Sequence, residues 1–155
     1  MQYSTIPSSG DRVSVLGYGC MRFTRKGGAI DQEKAEREMI YAITHGVNYF
    51  DTAYIYPGNE AALGKLFQKG WRSRVFLATK IPHYKIRSLS DLERIFAEEL
   101  SRLHTDYIDY YLLHNLGGAR TVKFDEYDMW NYVAKAKADG LVRHVGFSMH
   151  DGPET

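Results

Sequence analysis

One recurring arrangement restricts this chain more than any other: a short apolar run, a helical pattern, then the next run. The runs cover residues 15–21, 47–51, 75–80, 107–114 and 141–148. Val75-Phe76-Leu77-Ala78-Thr79-Lys80 is apolar almost throughout, as a strand covered on both faces should be. Between the runs, Ala35, Met39, Ala42 and Ile43 fall at helical spacing behind Asp31, a predicted N-cap, and before Gly46. Residues 60–67 predict a short helix with Ala61, Leu63, Leu66 and Phe67 apolar, ended by Gly70. Leu92, Ile95, Phe96, Leu100 and Leu103 form one stripe behind a predicted Ser90–Glu93 capping box. Residues 124–139 predict a helix with Met129, Trp130, Val133 and Ala136 inward. One helix between each pair of strands implies a parallel sheet with helices outside it. Ahead of this, two β-prone runs flank Pro7-Ser8-Ser9-Gly10 and predict a hairpin.

The 155 residues suffice for one domain with a hydrophobic core, and no internal boundary shows between residues 1 and 155. Twenty basic and 19 acidic residues leave a net charge of +1, which gives no electrostatic case for nucleic acid or anionic membrane. No apolar run approaches the ~20 residues of a membrane span. The single cysteine, Cys20, fits a reducing compartment, so a cytoplasmic location is expected. Gly17-Tyr18-Gly19 is not a dinucleotide fingerprint: Cys20-Met21-Arg22 follow, without the third glycine or an opening helix. His45, His83, His104 and His144 lack metal-ligand spacing, and no metal is expected.

Chemistry concentrates where the runs end. Residues 48–60 read Asn-Tyr-Phe-Asp-Thr-Ala-Tyr-Ile-Tyr-Pro-Gly-Asn-Glu. They place Asp51 at a strand end and Tyr56 in the following loop. The next ends supply Lys80, His114 and Ser148, and in a barrel such ends gather on one face. A tyrosine has an ordinary pKa of about 10 and donates its proton slowly at neutral pH. A nearby ammonium is expected to lower that pKa, and Asp51 to keep a buried Lys80 paired. His114 would orient a substrate oxygen, and Tyr56 would protonate it as hydride adds to the adjacent carbon. Taken singly, Asp51, Lys80 and His114 are more often structural residues. Together with Tyr56 they favour acid–base chemistry.

These residues carry a resemblance. Asp51-Thr52-Ala53-Tyr54-x-Tyr56 followed by Gly58-Asn59-Glu60, Leu77-Ala78-Thr79-Lys80, Tyr111-Leu112-Leu113-His114 and Val145-Gly146-Phe147-Ser148 resemble the aldo-keto reductase family, in its order and at roughly its spacing. The resemblance implies an α/β fold of the (β/α)8 TIM-barrel type, with about the first five parallel strands present after an N-terminal hairpin. It implies NADPH-dependent reduction of a small-molecule aldehyde or ketone by the tetrad Asp51, Tyr56, Lys80 and His114. Asn59-Glu60 match the residues that open the following helix. Gly19, Met21, Arg22, Asp51 and Ser148 are the cofactor-contact candidates. Met149-His150 stand where the family usually has asparagine after the serine. This variation looks more like the branch whose longer members carry a ferredoxin-type extension, but one cysteine cannot hold a cluster.

A complete barrel of this type takes at least ~200 residues. The expectation is therefore the N-terminal portion of a reductase, very weak in NADPH binding and with little or no turnover by itself. Two other readings stand beside it. One is a nicotinamide-binding regulatory module without turnover. The other is an interaction fragment that self-associates through open sheet edges.

Overall fold

The apolar runs pair in chain order. The computed structural model describes residues 1–154; Thr155 lies outside them. The elements run β1 (Tyr3–Thr5), β2 (Arg12–Ser14), β3 (Tyr18–Gly19), β4 (Arg25–Lys26), β5 (Ala29–Ile30), α1 (Gln32–Thr44), β6 (Tyr49–Asp51) and α2 (Asn59–Leu66). They continue with β7 (Phe76–Ile81), α3 (Leu89–Leu103), β8 (Ile108–Leu116), α4 (Gly118–Glu126), α5 (Met129–Ala138) and β9 (Val142–Met149). One sheet runs β3-β6-β7-β8-β9, every neighbour parallel. The expected hairpin is β1–β2, antiparallel. Five parallel strands in chain order are the parallel sheet the alternation implied, and they correspond to the first part of the (β/α)8 barrel the resemblance implied.

Strand alternation assigns the two faces. Phe50, Leu77, Ile81, Tyr111 and Leu113 are buried toward the helices, each worth roughly 1.5–3 kcal/mol against exposure. The α3 stripe of Leu92, Ile95, Phe96 and Leu103 packs beneath them, with the Phe96 ring 5.1 Å from Tyr111. The opposite face carries Asp51, Lys80 and His114 toward the C-terminal strand ends. Lower on that face the rings of Tyr49, Phe76 and His144 pack around Tyr110, tilted or edge-on to it. The hairpin closes this lower end: Asp11 accepts from the Tyr110 hydroxyl at 2.5 Å and lies 2.9 Å from His144 Nε2.

Helix ends follow their side chains. Asp31 Oδ1 accepts from the Lys34 N–H at 3.0 Å, as its cap role requires. Gly64 lets α2 lie directly on α3, since a Cβ there would collide with the Arg102 carbonyl.

The structure departs from the sequence reading in four places. The first strand is only Tyr18–Gly19; residues Cys20–Arg22 turn as a 3-10 helix. The Asn59 side-chain amide captures the Cys20 carbonyl and draws it off the ladder. The α3 cap is Ser88, whose Oγ accepts from Asp91 N–H at 3.3 Å, not Ser90. The helix expected over residues 124–139 is two helices, because Asp128 sits at φ 53 and breaks the run. Trp130 consequently lies exposed, its Nε1 donating to Asp125 at 2.8 Å. Finally β8 passes His114 to Leu116, with a register shift after Leu113 and Asn115 at φ 62.

Exposed apolar side chains gather on the two outer strands of the sheet. Val15, Leu16 and Met21 flank β3, while Val145, Phe147 and Met149 line one face of β9. No helix among the described residues is long and apolar enough to cross a membrane.

Candidate active site

Lys80 lies near the end of β7 on the face away from the helices. Its side chain is buried, and a buried ammonium requires partners. It finds two: Asp51 Oδ1 at 2.5 Å, from the end of β6, and the Thr52 carbonyl at 2.8 Å. The same ammonium lies 5.6 Å from the centre of the Tyr56 ring. His114 completes the group from β8, its ring 6.3 Å from Tyr56 and nearly perpendicular at 88°. Strands β6, β7 and β8 and the loop after β6 thus bring together all four residues that sequence reasoning singled out.

Two of these groups have their protons set by the surroundings. Burial, then Lys80, His83 and His150, push His114 down from 6.5 to about 4. The imidazole is therefore neutral at pH 7 and has one N–H to offer. His83 Nδ1–H donates to the His114 carbonyl at 3.0 Å and holds that stretch of β8. Tyr56 differs from expectation. Its pKa is raised, by burial first and then by Asp51 and Cys20. The sequence argument expected the ammonium to lower it. Asp51 sits closer to Lys80 than the phenol does, and its negative charge offsets the ammonium field that reaches Tyr56. Tyr56 keeps its proton at neutral pH.

Four buried polar atoms have no hydrogen-bond partner among the described residues: Thr52 Oγ1, Asn59 Oδ1, His114 Nδ1 and Asn115 Oδ1. Thr52, His114 and Asn115 lie at the C-terminal ends of strands or in the loop that follows, and Asn59 opens α2. Ser148 Oγ, on β9, accepts from the Asn115 N–H at 2.9 Å. Gly19, Met21 and Arg22 lie exposed at the end of β3, next to Asp51, the β-ladder partner of Gly19. A cleft of about 600 Å3 opens on the outer flank of the Tyr56 loop, lined by Tyr54, Tyr56, Tyr84, Lys85 and Arg102. Among the described residues, no group of three or more His, Cys, Asp or Glu is placed to hold a metal.

Sequence reasoning missed a second polar cluster, on the helix side of β7. Thr79, Glu60, Glu99, Arg102 and Tyr111 meet there. One signal was present: Glu99 interrupts the apolar stripe of α3, three residues after Phe96 and four after Ile95, where a buried side chain belongs.

The family described as Aldo/keto reductase family matches residues 15–155. The uncharacterized oxidoreductase YrpG of Bacillus subtilis is 32% identical, over 98% of this chain and 50% of its own length. Among solved structures, the holo form of aldo-keto reductase AKR11C1 from Bacillus halodurans superposes with a TM-score of 0.80 at 33% identity, over 96% of this chain and 50% of that one. An aldo-keto reductase from Klebsiella pneumoniae in complex with NADPH gives 0.77 at 27% identity, over 97% and 51%. The chain thus spans about half the length of these relatives.

Proposed function

The chain belongs to the aldo-keto reductase family, and on that premise we propose that it carries the acid–base machinery of an NADPH-dependent reductase of aldehydes or ketones. Tyr56 is the proton donor, His114 orients the carbonyl, and Asp51 with Lys80 sets the electrostatics of the phenol. The observation that carries this reading is a protonated phenol packed between a paired ammonium and a neutral imidazole at one strand-end rim. A neutral His114 can donate a hydrogen bond to a substrate oxygen without competing for the proton Tyr56 must give.

The polar groups at this rim suit the nicotinamide end of the cofactor. The unpartnered Asn115 Oδ1 can accept from a carboxamide, and Ser148 Oγ retains an O–H to donate. Gly19, Met21 and Arg22 border the same end of the sheet. When bound, NADPH supplies the hydride. Tyr56 then passes its proton to the carbonyl oxygen as charge builds there, and Lys80 stabilises the phenolate left behind.

The test is NADPH oxidation in the presence of a panel of aldehydes, ketones and quinones. Whatever turnover the chain supports is expected to fall at least about a hundredfold in Tyr56→Phe, with NADPH affinity unchanged. Turnover that survives this change removes Tyr56 from the role. NADPH binding without transfer to any carbonyl would favour the regulatory module instead.

A further inference from the structure

Tyr56 sits on a loop with no regular structure, and the two ends of that loop are held by different means. The upstream end continues the sheet: Thr52 N–H donates to the Ala78 carbonyl at 2.8 Å, and Lys80 grips the Thr52 carbonyl. The downstream end enters α2 through Gly58 at φ 81, which offers no side-chain cap. An exposed contact holds it at Pro57, whose carbonyl accepts from Arg25 Nη2 at 2.8 Å; its buried holds come from the first two residues of α2. Asn59 donates to the Cys20 carbonyl, and Glu60 turns the other way, under the sheet.

Glu60 is 2% exposed. Its Oε1 accepts from Thr79 Oγ1 at 2.8 Å, and its Oε2 lies 3.3 Å from Arg102 Nη1. Thr79 is the residue before Lys80 on β7, so the loop's far end is tied to the strand that carries the ammonium. Arg102 belongs to α3, and its guanidinium also lies over the Tyr54 ring at 4.4 Å. The Tyr54 hydroxyl in turn donates to Glu98 of α3 at 2.6 Å. Behind Thr79, Glu99 is fully buried and accepts from the Tyr111 hydroxyl at 2.5 Å. Burying two carboxylates side by side costs stability, and a core needs no such pair to pack. The cost is understandable if the pair fixes a geometry.

We infer that Glu60 is a positioning residue for Tyr56: its buried carboxylate, held by Thr79 and Arg102, locks the downstream end of the loop against β7 and α3 so that the phenol meets Lys80 and His114. The functional meaning rests on Tyr56 as proton donor. The tether itself does not.

The experiment reads the phenol and the loop directly. The chain is labelled with 13C-ζ tyrosine, the Tyr56 signal is identified by its loss in Tyr56→Phe, and its pH titration is followed by NMR. Amide hydrogen exchange is measured over residues 53–58 and over β8. The groups facing the phenol (Asp51, Cys20, Lys80 and His114) stay unchanged in every variant. In Glu60→Ala the Tyr56 pKa is expected to fall from its raised value toward about 10 as the loop swings into water. Exchange over residues 53–58 should quicken about tenfold while β8 stays protected. Glu60→Gln, which keeps an acceptor for Thr79, should restore most of both. A Tyr56 titration that stays in place in Glu60→Ala overturns the inference, as does faster exchange in α2, α3 and β8 together with no change at the phenol. Where Glu60→Ala does not fold, Thr79→Val decides by the same readouts, a smaller shift in the same direction supporting the tether and no shift refuting it. Neither readout needs cofactor or turnover. Turnover surviving Tyr56→Phe would therefore refute the donor and leave the tether standing, and an unmoved phenol would do the reverse.

Discussion

At the N-terminal end of the sheet, Asp109 on β8 is buried with every oxygen engaged. Oδ2 accepts from Arg72 at 2.7 Å and from the Leu77 N–H at 2.9 Å, and Oδ1 accepts from Arg143 at 3.0 Å. Both guanidiniums stack over Tyr107. At the C-terminal end the pattern reverses. There Asp51 is only half-buried, and Thr52, Asn59, His114 and Asn115 each leave a buried polar atom unpartnered. Unsatisfied polar groups are expensive, and a fold organised only for stability would place them at neither end. The contrast suits a barrel that holds its structure at one rim, with the proposed chemistry at the other.

The comparison can be broken most forcefully at Asp109. Asp109→Ala leaves Arg72 largely buried beside an empty partner, and should cost about 3–5 kcal/mol of stability in urea unfolding. A loss below about 1 kcal/mol would mean that the lower rim is no stabilising centre. At the upper rim the expected effects separate. Lys80→Met should cut any of the proposed carbonyl reduction about a hundredfold or more, yet cost only about 1 kcal/mol in unfolding, because a half-buried Asp51 can hydrate once unpaired. Equal and large losses in both measurements would erase the distinction between the rims.

A third test uses pH. His114 titrates at about 4 in the folded chain against 6.5 for the free side chain. Between these values the unfolded state binds more protons, so stability is full above about 6.5 and declines as pH falls toward 4. Urea midpoints measured across that window should fall, and His114→Gln should flatten the decline. The smallest expected effect is at Thr52. Its hydroxyl has no partner, so Thr52→Val should be neutral or stabilising by up to about 1 kcal/mol. A clear destabilisation would show that the hydroxyl is engaged after all.

What the sequence disclosed follows from distance along the chain. The order of parallel strands was legible because continuous apolar runs such as residues 75–80 admit few other fates. Asp51, Lys80 and His114 were legible because each closes or nearly closes a run. The split at Asp128 was not, since a left-handed aspartate inside a helical pattern depends on how Met129 and Phe124 pack. The small β4–β5 hairpin was missed although Gly27-Gly28 between two short runs is a turn signal. The raised pKa of Tyr56 was misjudged because a list of strand ends gives neighbours without the order of their separations. The tether of Glu60 to Thr79, and that of Asn59 to the turn at Cys20, join residues 19 and 39 positions apart. They exist only once α2 has docked.

The bare hydrogen at position 64 extends that docking. Because α2 touches the backbone of α3 there, the spacing of the two helices has no slack to absorb even a methyl group. A Gly64→Ala change would lie on the helix side of the sheet, away from the face that carries Lys80, and would meet the Arg102 backbone and the edge of the His104 ring. It would still wedge the pair apart, strain the grip of Arg102 on Glu60, and reach the phenol as a misalignment. Screens of this chain for impaired variants should therefore return hits on its outer shell that no map of substrate contacts would explain.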